Sequence, residues 1–476
     1  MSKLPFQWKT ILKGFIVLLT LSVGAQLHAQ TQSGYYSHDA YLTSFDAGNP
    51  KVVAASYQNT NVVPSQQDTS AVPCETCIVS ETAPEGLFLH KLNNSSGYGF
   101  FIEGYIDQGL TYGSSEDYQT PAAMNDKEGY QMNQLYLSLG RKVVKGNHFS
   151  VGAQIDIMFG TDYYYMSSAG LENHSDNSNH WNSMSDDYNY RAGRSEYGVA
   201  LPQFYAEFYA PFMEGLDVKV GHFYSVMGYE SMRSDQNFFY SRTYSKMYGM
   251  PTSMTGVIAE QGLGCGWNLV YGAVNEWNAF DTPNDTFSGV LGANYTNYNG
   301  FFTFAVTTMF GDQHAPCYQY ETYSDDAEMC FVLNTYAKFQ LSQRLSYVCE
   351  FTVGYDDREY FCMETFENNH GRAWFGLTNY LFYDICDDLT LGFRFEWFND
   401  SDNTVIDGGY GWASIDDSVN YFAFTFGANW TPLSWLSIRP EIRYDFSDYE
   451  CAGMETYNNW SSDYQLTVGA DMIIRF

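Results

Sequence analysis

In the segment LSIRPEIRYDF, residues 436–446, the even positions are all apolar while the odd ones read Ser437, Arg439, Glu441, Arg443 and Asp445. A repeat of two puts these rows on opposite faces of one β-strand. Ionised groups isolated in an apolar medium cost several kcal/mol or more, so the charged row requires water on its side. The segment LTLGFRFEW, residues 389–397, repeats the pattern with Arg394 and Glu396 in its polar row. Such strands fit a membrane barrel with water inside and lipid outside. They fit equally a soluble sandwich with the faces reversed, and local alternation does not separate the two.

Features elsewhere in the chain favour the barrel. The last residues, YQLTVGADMIIRF (464–476), alternate up to Phe476 itself. A terminal strand that is apolar on one face to its end needs a neighbour on each edge, which a closed sheet supplies. Aromatic residues make up 18% of the chain, with 41 Tyr and 35 Phe, more than a soluble core requires. At the front, Lys3, Lys9 and Lys13 precede the apolar run Gly14 to Val23, and Ala25 and Ala29 offer small residues for cleavage. That layout predicts a signal peptide over residues 1–29, with an apolar core too short for a membrane helix. Residues 30–96 are rich in Ser, Thr, Asn, Gln and Ala, contain Pro64, Pro73 and Pro84, and read as a disordered periplasmic arm.

From residue 97 to 476 the chain divides into sixteen segments of strand length. They fall at 99–112, 129–141, 148–160, 202–210, 215–224, 254–263, 265–276, 286–298, 301–311, 329–341, 344–356, 371–383, 388–399, 418–430, 435–447 and 463–476. Their connections alternate. Brief turns such as Asn299-Gly300 and Cys386-Asp387-Asp388 are followed by long polar loops at 113–128, 161–201, 225–253, 312–328, 357–370, 400–417 and 448–462. This predicts an all-β, transmembrane antiparallel up-and-down barrel of about 16 strands, with both chain ends on the periplasmic side. Trp267, Trp277, Trp397, Trp430 and Trp435 stand near strand ends, where they suit interfacial girdles.

The run GHFYSVMGYE (221–230), followed by FYSRTY (239–244) and PTSMTG (251–256), resembles the outer-membrane β-barrel porins described as OmpL-like. Met254 stands where that family commonly carries a His before Thr-Gly. The resemblance implies a porin-type channel of the bacterial outer membrane with no reaction attached. It also implies that Gly228, Tyr229, Glu230, Ser241 and Arg242 belong to a structured loop near the pore. A homotrimer is the assembly such a porin would be expected to form.

By alternation, the lumen candidates are Glu103, Asp107, Asp156, Glu207, Lys219, Arg394, Glu396, Arg439, Glu441, Arg443 and Asp445. Arg394, Arg439 and Arg443 bracket the small residues Ala423, Thr425 and Gly427, forming either a basic strip on one wall or a set of pairs with Glu396, Glu441 and Asp445. Loop 225–253 carries Glu230, Arg233, Arg242 and Lys246 in a protein poor in cations. Folded inward, its cations would approach lumen acids and narrow the channel; folded outward, the loop would be a lid.

Losing three lysines and no acid with residues 1–29 takes the formal charge from −32 to −35, which disfavours nucleic acid or an anionic surface as partner and favours cations. No Gly-x-Ser-x-Gly elbow is present, and His148, His174, His180, His222, His314 and His370 fall in turns, loops or strand ends, so no enzyme activity is expected. Asp400, Asp402, Asp407, Asp416 and Asp417 lack EF-hand spacing, and no metal or cofactor is expected. Nine cysteines leave at least one unpaired within the chain; Cys317 and Cys330 could bridge a loop, and Cys74 and Cys77 form a lone CxxC. The function expected is a water-filled channel in outer-membrane lipid for small polar solutes or ions, biased to cations. The alternatives are a receptor or adhesin acting through its surface loops, and a secreted soluble β protein.

Overall fold

The computed structural model describes residues 99–114, 128–172, 197–281, 286–313, 328–362, 367–401, 405–406, 418–449, 455–458 and 461–476. The segments read as signal peptide (1–29) and arm (30–96) lie outside the described residues, as do Cys74, Cys77, Cys317, Asp402, Asp407, Asp416 and Asp417.

Sixteen antiparallel strands close into one barrel. They are β1 (Phe100–Gly113), β2 (Gly129–Arg141), β3 (Ser150–Gly160), β4 (Gly198–Ala210), β5 (Leu216–Tyr224), β6 (Ser253–Gly264), β7 (Trp267–Val274) and β8 (Ser288–Thr296). The second half holds β9 (Phe302–Gln313), β10 (Glu328–Gln340), β11 (Leu345–Cys362), β12 (Glu367–Cys386), β13 (Leu389–Asp400), β14 (Val419–Leu433), β15 (Leu436–Ser447) and β16 (Tyr464–Arg475). Each strand pairs with its neighbours in sequence, and β16 returns to β1 with Tyr105 opposite Arg475 and Gly113 opposite Thr467. Phe476 donates its N–H to the Gly104 carbonyl at 2.9 Å, and its own carbonyl accepts from Gly104 N at 3.2 Å. The last residue is therefore held by the first strand, leaving no open edge.

Burial separates the membrane barrel from the soluble sandwich. In β13 and β15 the apolar row faces outward, with Leu391 45% and Ile442 44% exposed, while Arg394 and Arg443 are 0% exposed. A soluble protein does the opposite. Outward-facing rings form a chain near the short-turn end, from Trp267 to Tyr295 (4.8 Å), Phe302 (6.1 Å), Phe339 (5.0 Å) and Tyr347 (6.2 Å). This is the amphipathic belt expected where acyl chains meet headgroups. Trp277 does not join it: its ring is buried edge-on against Trp374 at 6.1 Å.

Short turns follow local chemistry. Between β6 and β7 only Cys265 and Gly266 remain, with φ of 54° and 83°, the pair of positive values that a two-residue type I′ hairpin requires. One predicted loop is mostly strand instead. After a register shift between Asp356 and Glu359, residues 359–362 of β11 pair with 367–370 of β12. These strands run to 18 and 20 residues, well beyond what a bilayer needs. The sequence there is polar, so alternation gave no apolar row from which to recognise the extension.

Candidate functional site

The β5–β6 loop, residues 225–252, folds into the lumen. Its neck is closed by Ser225 N donating to Thr252 O at 3.0 Å. An irregular backbone at membrane depth must find a partner for every N–H and C=O, because no lipid group will serve. Here the barrel wall provides charged ones.

Carboxylates on the wall collect the loop's N–H groups. Glu350 accepts from Tyr229 N at 2.9 Å, and Asn334 Oδ1 accepts from Gly228 N at 3.1 Å. Glu441 accepts from Tyr240 N at 2.9 Å, from Ser241 N at 3.2 Å and from the Ser241 hydroxyl. Glu396 takes the first N–H groups of a short helix, α2 (Tyr244–Tyr248), at 2.8 Å each from Tyr244 and Ser245. The same helix is capped by Thr243, whose Oγ1 accepts from Lys246 N at 3.0 Å. A preceding helix, α1 (Tyr163–Met166), lies in the β3–β4 connection against Tyr105, Tyr136 and Met158.

Guanidinium groups collect the loop's carbonyls. Arg394 donates to Glu230 Oε1 at 2.7 Å and to Ser241 O at 3.0 Å. Arg439 pairs with Asp471 and donates to Ser234 O and Asn237 O, both at 2.8 Å. Arg443 pairs with Asp445 and donates to Arg242 O at 2.6 Å. Charge-assisted bonds of this kind are the stronger class.

Missing side chains give the loop its room. A Cβ at Gly376 would stand 2.2 Å from Ser245 Oγ, one at Gly392 2.2 Å from the Phe238 ring, and both glycines are in the wall. Ala423 and Thr425, flagged by their size, are fully buried on the same side.

The lumen candidates divide into two groups. Arg394, Glu396, Arg439, Glu441, Arg443 and Asp445 all point inward, but each is at most 4% exposed because the loop covers them. They hold the loop and do not border open water. The expected pairing holds only for Arg443 with Asp445; Arg394 takes Glu230 and Arg439 takes Asp471. The basic strip is thereby neutralised. Asp107 and Asp156 are also fully buried, Asp156 accepting from Tyr136 Oη at 2.6 Å and Gln203 Nε2 at 2.7 Å. Glu103, Glu207 and Lys219 remain partly exposed, with Glu207 opposite Lys219 across β4 and β5 and Lys219 Nζ 4.8 Å above the Tyr205 ring.

Among the described residues, none of Arg233, Arg242 and Lys246 takes a wall acid as its hydrogen-bond partner, although Lys246 feels the charge of Glu350. Arg233 makes a two-pronged bond to Asp235, 3.0 Å on each side, and lies over the Tyr136 ring at 4.8 Å. Arg242 donates to Tyr240 O at 2.9 Å and Ser234 Oγ at 3.2 Å. Lys246 Nζ reaches Met227 O at 3.3 Å, and burial pushes its ammonium down to about 8, against the pull of Glu350 and Glu230. Glu350, Asn334, Asp471 and Trp374 escaped the sequence reading. The alternation of β11 and β16 already placed Glu350 and Asp471 on the lumen face, and that signal could have found them.

A closed, outwardly apolar barrel of sixteen strands, narrowed by a loop bound to its charged inner wall, defines an outer-membrane channel. Over residues 99–476 the chain matches the family described as "Putative beta-barrel porin-2, OmpL-like". It belongs to that family, whose members are channels, and is a porin of the bacterial outer membrane. Among solved structures it is similar to the outer membrane channel DcaP of Acinetobacter baumannii, at 12% identity and a TM-score of 0.51, covering 80% of this chain and 99% of that one. It is also similar to OmpT of Vibrio cholerae in its trimer form (11%, TM-score 0.47, covering 79% and 99%) and to OprB of Pseudomonas putida (14%, TM-score 0.45, covering 81% and 96%). At such identities the DcaP likeness is one of fold. None of the curated proteins matches the sequence. Met254, where the family commonly has His, is buried with Phe223, Met227 and Trp374, an apolar setting that suits a thioether.

Proposed function

We propose that this porin passes small polar solutes or ions by passive diffusion, with a preference for cations, through an eyelet set by loop 225–252. The observation that carries the reading is the burial of that loop against the wall charges Glu350, Arg394, Glu396, Arg439, Glu441 and Arg443. A loop held this firmly narrows the lumen to a fixed width. These wall groups balance in charge, and the preference for cations rests on the acidic excess of the whole chain, 55 Asp and Glu against 23 Lys and Arg. Glu207 and Lys219 line the wider water on the β4–β5 side, and Glu103 lines it on β1.

Planar-bilayer recordings test the reading. The wild type should give stepwise, cation-biased conductance. Arg394→Met would leave Glu230 buried without its partner, a loss of roughly 3–5 kcal/mol at the loop's anchor. Conductance should then become larger and noisier while the barrel stays folded. A silent bilayer together with tight binding of a ligand to the surface loops would support the receptor reading instead. The assembly that goes with the pore reading is a homotrimer, and a detergent-corrected mass of one or two copies would remove that part.

A further inference from the structure

Facing β1 and β2, loop 225–252 leaves a small polar cleft lined by Asp107, Asn133, Asp162, Ser234, Tyr240 and Arg242, with room for about one water. Asp107 is 0% exposed, yet neither of its carboxylate oxygens receives a hydrogen bond from the protein. Buried carboxylates without partners are rare, and each points to a ligand or a function. Across the cleft, Arg242 spends its terminal nitrogens on Tyr240 O, Met232 O and Ser234 Oγ, while its buried Nε meets no acceptor. Asp162 adds a second carboxylate, accepting from Gln134 Nε2 at 2.7 Å.

Asp471, paired with Arg439, lies beside Asp107, and Asp235 is paired with Arg233. Asp107, Asp162 and Asp471 against Arg242 and Arg439 leave the cleft one negative charge in excess, in a setting where an uncompensated charge is costly. Beside the apolar Met232 and Met247, its other polar groups are phenols, a hydroxyl and an amide, oxygen donors of the kind that hard cations prefer.

We propose that this cleft binds one monovalent cation, an alkali ion or ammonium, with the Asp107 carboxylate as its main ligand. A divalent ion would overshoot the single charge available. The wall gives the site Asp107 and Asn133, loop 225–252 gives Ser234, Tyr240 and Arg242, and the β3–β4 connection gives Asp162. Tyr240 stands over Gly109, where a Cβ would lie 2.3 Å from its hydroxyl, so displacing the loop would dismantle the site. The placement of this ion within a permeation path rests on the porin reading; the existence of the site does not.

Two measurements on the purified protein in detergent test it. Crystals grown in rubidium should show an anomalous peak beside Asp107, and the thermal midpoint should be higher in potassium than in choline at equal ionic strength. Asp107→Asn should abolish both effects and lower the cation-over-anion permeability ratio several-fold, while keeping heat-modifiable migration. Asp162→Asn, at the cleft rim outside any strand, provides the same test should the first variant fail to fold. Absence of the peak, with midpoints indifferent to the cation in wild type, overturns the site; cation-biased conductance would survive that result. An ion at Asp107 in a protein that conducts nothing would leave the site and overturn the porin reading.

Discussion

Arg394, Arg439 and Arg443 each divide their donors between a carboxylate and a loop carbonyl. The rigid fork of a guanidinium suits this, whereas a lysine at the same place would offer one compact charge. Alternation was enough to aim these side chains inward. Their loop carbonyl partners lie 153 to 205 residues away in sequence, and no spacing rule reaches that far. Lys246 carries a prediction at this scale. Buried, its ammonium titrates near 8, so between pH 7 and 9 the eyelet should lose a positive charge and cation preference should rise. Since a lysine in the unfolded chain holds its proton to about 10.4, the folded protein binds fewer protons in that window, and the residue's destabilising effect fades as pH increases. Reversal potentials in a salt gradient would check this, and Lys246→Met should remove the pH-dependent step.

At the level of elements, the loop between β5 and β6 and the wall from β12 to β16 form one unit. The wall strands carry glycines where the loop packs most closely. Gly376→Val should push Ser245 from its seat beside Glu396, because a branched side chain has nowhere to go within 2.2 Å. The expected result is a larger single-channel conductance with the same heat-modifiable migration; an unchanged conductance would mean that the loop does not set the eyelet. These glycines were legible in the sequence only as weak points in strands. The β11–β12 hairpin shows the opposite case, since its polar outer part lacks the apolar row by which the inner part was recognised.

Across the whole molecule, stability depends on closure and on the solvent outside it. A chain cut after Asp463 would lose β16 and leave β1 and β15 with bare edges. Such a protein should show no shift between heated and unheated bands on a detergent gel. Likewise the intact chain should precipitate once detergent is withdrawn, because residues such as Leu391, Phe426 and Ile442 face outward. Sequence by itself determined the strand count, the alternating connections and the inward aim of the charges on β13 and β15, all of which follow from a local period of two. The membrane setting came from the aromatic excess, the alternation of brief and long connections and the two ends of the chain, because a period of two does not say which face meets water. Only the tertiary structure decided that loop 225–252 turns inward, that three wall arginines hold its carbonyls, and that Asp107 is left without a partner. Those outcomes depend on backbone groups meeting side chains far away in the chain, and a backbone N–H or C=O leaves no mark in the sequence.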